Sequence, residues 1–182
     1  KMNFTNHFLI SMPHLVDAFF NKSIIYICEH NEDGAMGIII NKDLSDNKKY
    51  LILKETGLTN IDPCPEIYFG GPVQMNHGLI LHSCDYINED SKIVTKNLSI
   101  TSNEEILDDM TRGKGPDKFR FTFGYAGWGS NQLEREFENG DWLLLPGNIR
   151  FIFDTPDEKK WEEATGSFGI DILNISGSTG IS

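Results

Sequence analysis

Two short segments carry residues whose spacing could bind a metal. Cys28-Glu29-His30 and His82-Ser83-Cys84 each set a thiol and an imidazole two residues apart, which places both on one face of an extended strand. If those strands paired, four zinc ligands would converge. Zinc sites more commonly use Cys-x2-Cys or His-x3-His spacing, and a buried cysteine often behaves as a small hydrophobe. The reading is therefore no metal and no cofactor. Acid–base chemistry would draw on Glu29, His30, Asn31, Asn41, His82, Tyr125, Gln132 and Glu134, the polar residues within or beside glycine-marked segments. An imidazole such as that of His30 suits proton transfer near neutral pH, with Glu29 or a second carboxylate to orient it. A structural account competes: histidine and asparagine at a hairpin end bond local backbone, and Glu134, three residues after Asn131, is placed to close an Asn-led capping box. There is no Gly-x-Ser-x-Gly elbow and no Walker-type phosphate loop, so the usual hydrolase and nucleotide signatures are missing.

The run Gly124-Tyr-Ala-Gly-Trp-Gly129 precedes an Asn-led helix. Gly124, Gly127 and Gly129 permit positive φ and close backbone approach, while Tyr125 and Trp128 offer wide apolar faces with one polar handle each. The run reads either as a cradle, with Trp128 and neighbouring amides receiving a polar ligand, or as a tight corner whose aromatics fill the core. Leu133 and Phe137, four residues apart, are expected to pack inward and leave Gln132 and Glu136 on the polar side. Gly34, Gly37, Gly70 and Gly71 mark further close approaches, and the three glycine segments are expected to converge on one functional surface.

The elements that must position these residues belong to a chain of 182 residues with 39% hydrophobic and 24% charged residues, which fits one folded, soluble domain over 1–182. A net charge of -11 repels a phosphate backbone unless some face concentrates lysine and arginine. The basic clusters Lys48-Lys49 and Arg112 to Arg120 are interrupted, and the acidic helices expected at 103–112 and 156–165 are poor groove readers. Direct nucleic-acid binding is disfavoured. Three scattered cysteines suit a reducing cytoplasm, no charged-then-apolar leader precedes Phe4, and no apolar run approaches a membrane span.

Residues 23–29 and 35–41 read as a β-hairpin around the turn residues His30 to Gly34, apolar at consecutive positions and so covered on both faces. A helix is predicted over 46–56, closed by Gly57. Ser102-Asn-Glu-Glu105 reads as the capping box of another, and Thr155-Pro-Asp-Glu158 opens a third with Trp161 and Ala164 on its apolar stripe. Further strands are predicted at 66–69, 79–83, 119–124, 142–145 and 149–153. Strands and helices mix without regular βαβ alternation, which predicts an α+β fold with a strongly curved mixed sheet.

Several separated motifs stand in a recognisable order: Phe8-Leu-Ile-Ser-Met-Pro13, Phe19-Phe20, Cys28-Glu-His-Asn31, Gly34-Ala-Met-Gly-Ile-Ile-Ile-Asn41, Tyr68-Phe-Gly-Gly-Pro-Val73, Gly78-Leu-Ile-Leu-His82, the glycine-aromatic run, Phe153 to Pro156, Trp161, Ala164 and Phe168-Gly-Ile-Asp171. Together they resemble the YqgE/AlgH family nearly end to end. Members usually finish in a Gly-His-Ala-like tail, where this chain has Gly180-Ile181-Ser182. The resemblance implies an α+β fold whose bifurcated mixed sheet curls toward a pseudo-barrel with flanking helices. It brings a transcriptional-regulator label but no catalytic residues. The resulting expectation is a noncatalytic cytoplasmic module that binds a small ligand or a protein and regulates indirectly. An enzyme using a site near the glycine-rich loops is the alternative, and a direct DNA-binding regulator the third reading.

Overall fold

The computed structural model describes residues 2–167, so the Phe168–Asp171 motif and the Gly180-Ile181-Ser182 tail lie outside the described residues. In chain order the elements are β1 (His7–Ser11), β2 (Ile24–Asn31), β3 (Gly34–Ile39), α1 (Asp46–Thr56), a 3-10 turn (Leu58–Asn60), β4 (Ile67–Phe69), β5 (Val73–Ser83), β6 (Lys92–Ile93) and β7 (Leu98–Thr101). Then follow α2 (Glu104–Thr111), β8 (Phe119–Trp128), α3 (Gln132–Glu138), β9 (Trp142–Pro146), α4 (Ile149–Asp154) and α5 (Asp157–Gly166). The chain divides into two units: one takes the residues up to Asn41 and those from Ala126 onward, the other takes Lys42–Tyr125.

In the first unit β9, β1, β2, β3 and the end of β8 form an antiparallel ladder. The hairpin predicted from the turn residues is present as β2 and β3, and Ile24, Ile25, Tyr26 and Ile27 are all buried at successive positions. Both faces of β2 are therefore covered, as the unbroken apolar run requires. Asn41 fastens the hairpin's open end: its Oδ1 accepts from the Ile24 N–H at 2.9 Å and its Nδ2 donates to the Lys22 carbonyl at 2.9 Å. On α5, Trp161 is buried and donates its indole N–H to the Ser11 carbonyl at 2.9 Å.

In the second unit β6, β7, β5 and β8 are antiparallel neighbours, and β4 joins β8 in parallel. The sheet is thus mixed. It also forks, because β8 meets β4 through Phe121–Phe123 and β3 through Ala126–Trp128, both on the side away from β5. Leu58, Ile67, Ile80, Ile106, Met110, Phe121 and Phe123 form this unit's core.

Several expectations about the elements are corrected by the structure. Residues 149–153 form helix α4 and not a strand, because the Asn148 side chain accepts from the N–H groups of Arg150 and Phe151 and caps a turn that β-rich residues then continue. The cap of α2 is Asn103, not Ser102, through its bond from the Ile106 N–H. No side chain caps α5: its flanking residue is Pro156, and the Thr155 carbonyl instead receives the ammonium of buried Lys160 at 2.8 Å. The glycine-aromatic run is extended backbone from Gly124 to Trp128, the last stretch of β8, and of its glycines only Gly124 takes positive φ, at 80°.

Candidate functional site

The second unit contains a cleft of about 550 Å³, within the size range of small-molecule sites. Its base is apolar, from Phe69, Ile80, Phe121 and Phe123, and one wall is the face of α1 carrying Leu51, Ile52 and Glu55. Another part of the lining arises from a break in the β5–β8 ladder. Val73 lies opposite Tyr125 and Gly78 opposite Phe123, so register is lost between them, and Gln74 within this break takes φ 48°. Such bulges re-aim side chains, and here Met75, Asn76 and His77 line the cleft. The start of α2 supplies Ser102, Asn103 and Glu104.

Thr101, in the cleft lining, belongs to a hydrogen-bonded chain anchored on His82, which is fully buried. Its Nδ1 lies 2.9 Å from the Ser83 carbonyl, which can only accept, so Nδ1 carries the proton and Nε2 accepts from the Thr101 hydroxyl at 2.7 Å. The Thr101 oxygen in turn accepts from Ser91 at 2.7 Å. Asn103 is held through its bonds with Asn88 at 2.9 Å and Asp90 at 2.8 Å. Thr101 and Asn103 therefore border the cleft with their hydrogen-bonding capacity already engaged, and they are rigid for the same reason.

Burial outweighs the Ser83 carbonyl and the Asp85 carboxylate and pulls the His82 imidazole below its ordinary value of 6.5. With the folded value depressed, the unfolded chain binds the additional proton, so the stability contributed by neutral His82 is complete above pH 6.5 and declines as pH falls. Urea midpoints between about pH 5 and 8 are expected to fall toward the acid side more steeply in the parent than in His82→Gln. Parallel slopes would show that His82 does not carry this linkage.

In the first unit the sequence candidates hold backbone and one another. The Phe4 N–H donates to His30 Nδ1 at 2.8 Å, His30 Nε2 lies 3.3 Å from Glu134 Oε2, and the Phe4 and His30 rings stack with centroids 5.1 Å apart. The orienting carboxylate is thus Glu134 and not Glu29, which is exposed. Glu134 does not close a capping box, because Asn131 sits in the left-handed region at φ 61° and makes no side-chain cap bond. The other Glu134 oxygen is buried without a hydrogen-bond partner. Asn31 is exposed and accepts from the Asp33 N–H at 2.8 Å in a local turn.

Trp128 is buried and donates its indole N–H to Glu136 Oε1 at 3.0 Å, and Trp142 donates to the same oxygen at 3.0 Å. Gln132 donates to the other Glu136 oxygen at 2.9 Å and accepts from the Gly129 N–H at 2.9 Å. Glu136, expected on the polar face of α3, is half-buried beneath two indoles, whereas Leu133 is fully buried as expected.

The glycines meet in two places, each inside one unit. A Cβ on Gly34 would overlap the Trp128 carbonyl in the first, and a Cβ on Gly124 or Gly70 would overlap the Gly71 or Gly124 carbonyl in the second. Gly37 is similarly pressed against Ile25, and Gly129 has ample room. Gly127 is exposed and pairs with Met36, while Tyr125 is half-buried opposite Val73. For the metal question, both edges of β2 are taken by β1 and β3, so Cys28 and His30 do not lie on a strand paired with that of His82. Burial, with the nearby Glu29 charge second, also pushes the Cys28 thiol up to about 12.

Of the sequence candidates, none lines the cleft. The missed residues are Leu51, Glu55, Met75, Asn76, His77 and Glu104. One signal was readable: Tyr50-Leu-Ile-Leu53 is four consecutive apolar residues on a charged helix, more than one buried stripe accommodates. Tyr50 and Leu51 are accordingly 64% and 56% exposed.

These features define an α+β protein with a forked mixed sheet and a ligand-sized cleft in one unit. The AlgH-like family matches residues 8–173, and the chain belongs to that family. It is similar to a UPF0301 protein of Nitrosococcus oceani, 41% identical across 97% of this chain and 96% of that one, and to one of Hahella chejuensis, 42% identical across 96% and 94%. The solution structure of AlgH from Pseudomonas aeruginosa aligns over the whole of both chains, with a TM-score of 0.78 and 30% identity. A crystal structure of a Corynebacterium diphtheriae protein shares the fold, with a TM-score of 0.75 and 18% identity over 98% of this chain and 94% of that one.

Proposed function

We propose that this chain is a noncatalytic binding module, cytoplasmic and indirectly regulatory, that takes a small and largely apolar molecule in the cleft of residues 42–125. The observation that carries this reading is the cleft itself, about 550 Å³ with an apolar base and a bulge forming part of its lining. Three free thiols, Cys28, Cys64 and Cys84, support a reducing compartment. Among the described residues no helix is long and apolar enough to cross a membrane. The enzyme alternative has less support, since both ring nitrogens of His30 and both of His82 are engaged within the fold.

Octan-1-ol serves as a neutral probe. Titrated into the protein, it is expected to shift amide resonances of Leu51, Met75 and Phe123, and the double variant Leu51→Gln, Met75→Gln should weaken that binding by at least about fivefold. Leu51 and Met75 are 56% and 41% exposed, so the urea midpoint should barely move. Shifts scattered over both units, or undiminished binding by the variant, would remove the cleft as the site. Direct DNA recognition is tested separately. With a net charge of -11, duplex binding at near-physiological salt should be no tighter than the nonspecific scale of roughly 10⁻⁴–10⁻⁶ M. Submicromolar, sequence-selective binding by the protein alone would overturn that expectation.

A further inference from the structure

We infer that the cleft selects an amphipathic small molecule with an apolar body and a cationic head; this rests on the cleft being the binding site. The body follows from the base and walls, where Leu44, Leu51, Phe69, Met75, Leu107 and Phe123 present hydrocarbon. The head follows from the balance of charged groups lining the cleft. Thr101 and Asn103 are engaged in hydrogen bonds within the fold, and Thr56 donates to the Ile52 carbonyl at 2.8 Å. The charged residues lining the cleft are Lys48, Glu55 and Glu104, and none of the three has a side-chain hydrogen bond or ion pair among the described residues. The neighbouring cation, Lys49, is already held by Asp43 at 2.9 Å and Glu66 at 3.5 Å.

Carboxylates therefore outnumber ammonium groups around the cleft, and geometry keeps them from being neutralised internally. Lys48 and Glu55 lie seven residues apart on α1, about 10 Å along its axis, too far for the pairing that three- or four-residue spacing allows. Glu55 also stands in the last turn of α1, where the helix dipole disfavours negative charge. At α2 the helix N-terminus offers about half a positive charge, but Glu104 and Glu105 occupy its first turn and reverse the sign. A cationic head meets attraction there, and a carboxylate head meets repulsion.

The test compares octylammonium, octan-1-ol and octanoate at low ionic strength, read by the same amide shifts. Octylammonium should bind about tenfold more tightly than octanoate, with octan-1-ol between, and the gap should narrow as salt screens it. Glu55→Gln, Glu104→Gln should abolish the preference of octylammonium over octanoate. If octan-1-ol binds in the cleft but octanoate matches or exceeds octylammonium, the cationic head is wrong and the binding site stands. A preference that survives the double variant also overturns the assignment of these carboxylates. If none of the three binds, the cleft itself falls and this inference with it.

Discussion

Gly124→Ala is expected to cost about 2–5 kcal/mol, a loss whose upper end lies in the range that backbone strain and overpacking together reach. Two effects add at this position. At φ 80° an L side chain is strained, by roughly 1–2 kcal/mol. The new Cβ would also overlap the Gly71 carbonyl, and backbone on both sides of that contact is fixed by pairing to β5 and β4. Overpacking against atoms that cannot rotate away adds a further cost of about 1–3 kcal/mol. Gly113→Ala separates the terms, since Gly113 has φ 72° with nothing within 4 Å, and should lose only the strain. Urea denaturation of both variants checks this. Equal losses at the two sites would mean that the close approach to Gly71 relaxes freely.

Glu136→Ala should destabilise by about 2–5 kcal/mol, because one carboxylate oxygen serves two indole N–H groups and the other serves Gln132. Trp128 and Trp142 are buried, and a buried donor stripped of its acceptor costs about 1–3 kcal/mol. The edge-to-face packing of the two rings, with centroids 6.3 Å apart, depends on their shared anchor. Glu136→Gln retains an oxygen for the indoles and should lose markedly less. Tryptophan fluorescence and denaturant midpoints measure both. If alanine and glutamine behave alike, water replaces the carboxylate and the anchor is unimportant.

Much of the scaffold was legible because it depends on neighbours in sequence. The consecutive isoleucines of β2 and β3, the left-handed Gly57 closing α1 and the buried Leu133 all follow from local pattern. So did the mixed, bifurcated sheet, through the family resemblance. What local pattern missed depends on distant partners. Ile149-Arg-Phe-Ile-Phe153 has strand-like composition, and only the Asn148 cap turns it helical. His30 resembled a general base because its true partners, Phe4 and Glu134, lie far away along the chain. The cleft was invisible for a different reason: it exists because one ladder loses register between Val73 and Gly78, and no residue type announces that slip.

The division of the chain has a consequence for the order in which it is made. The first unit is interrupted: β1, β2 and β3 are synthesised early, yet β3 pairs with Ala126–Trp128 and β1 with β9, both of which lie beyond the whole of Lys42–Tyr125. On the ribosome the three-stranded sheet β1–β2–β3 therefore waits with its two outer edges, those of β1 and β3, open, while the intervening unit acquires all the strands of its own ladder once Tyr125 has emerged. Unpaired apolar edges are what nascent chains must protect from one another. The β1–β3 segment is thus open to pairing with other chains until Ala126–Trp128 and β9 have emerged.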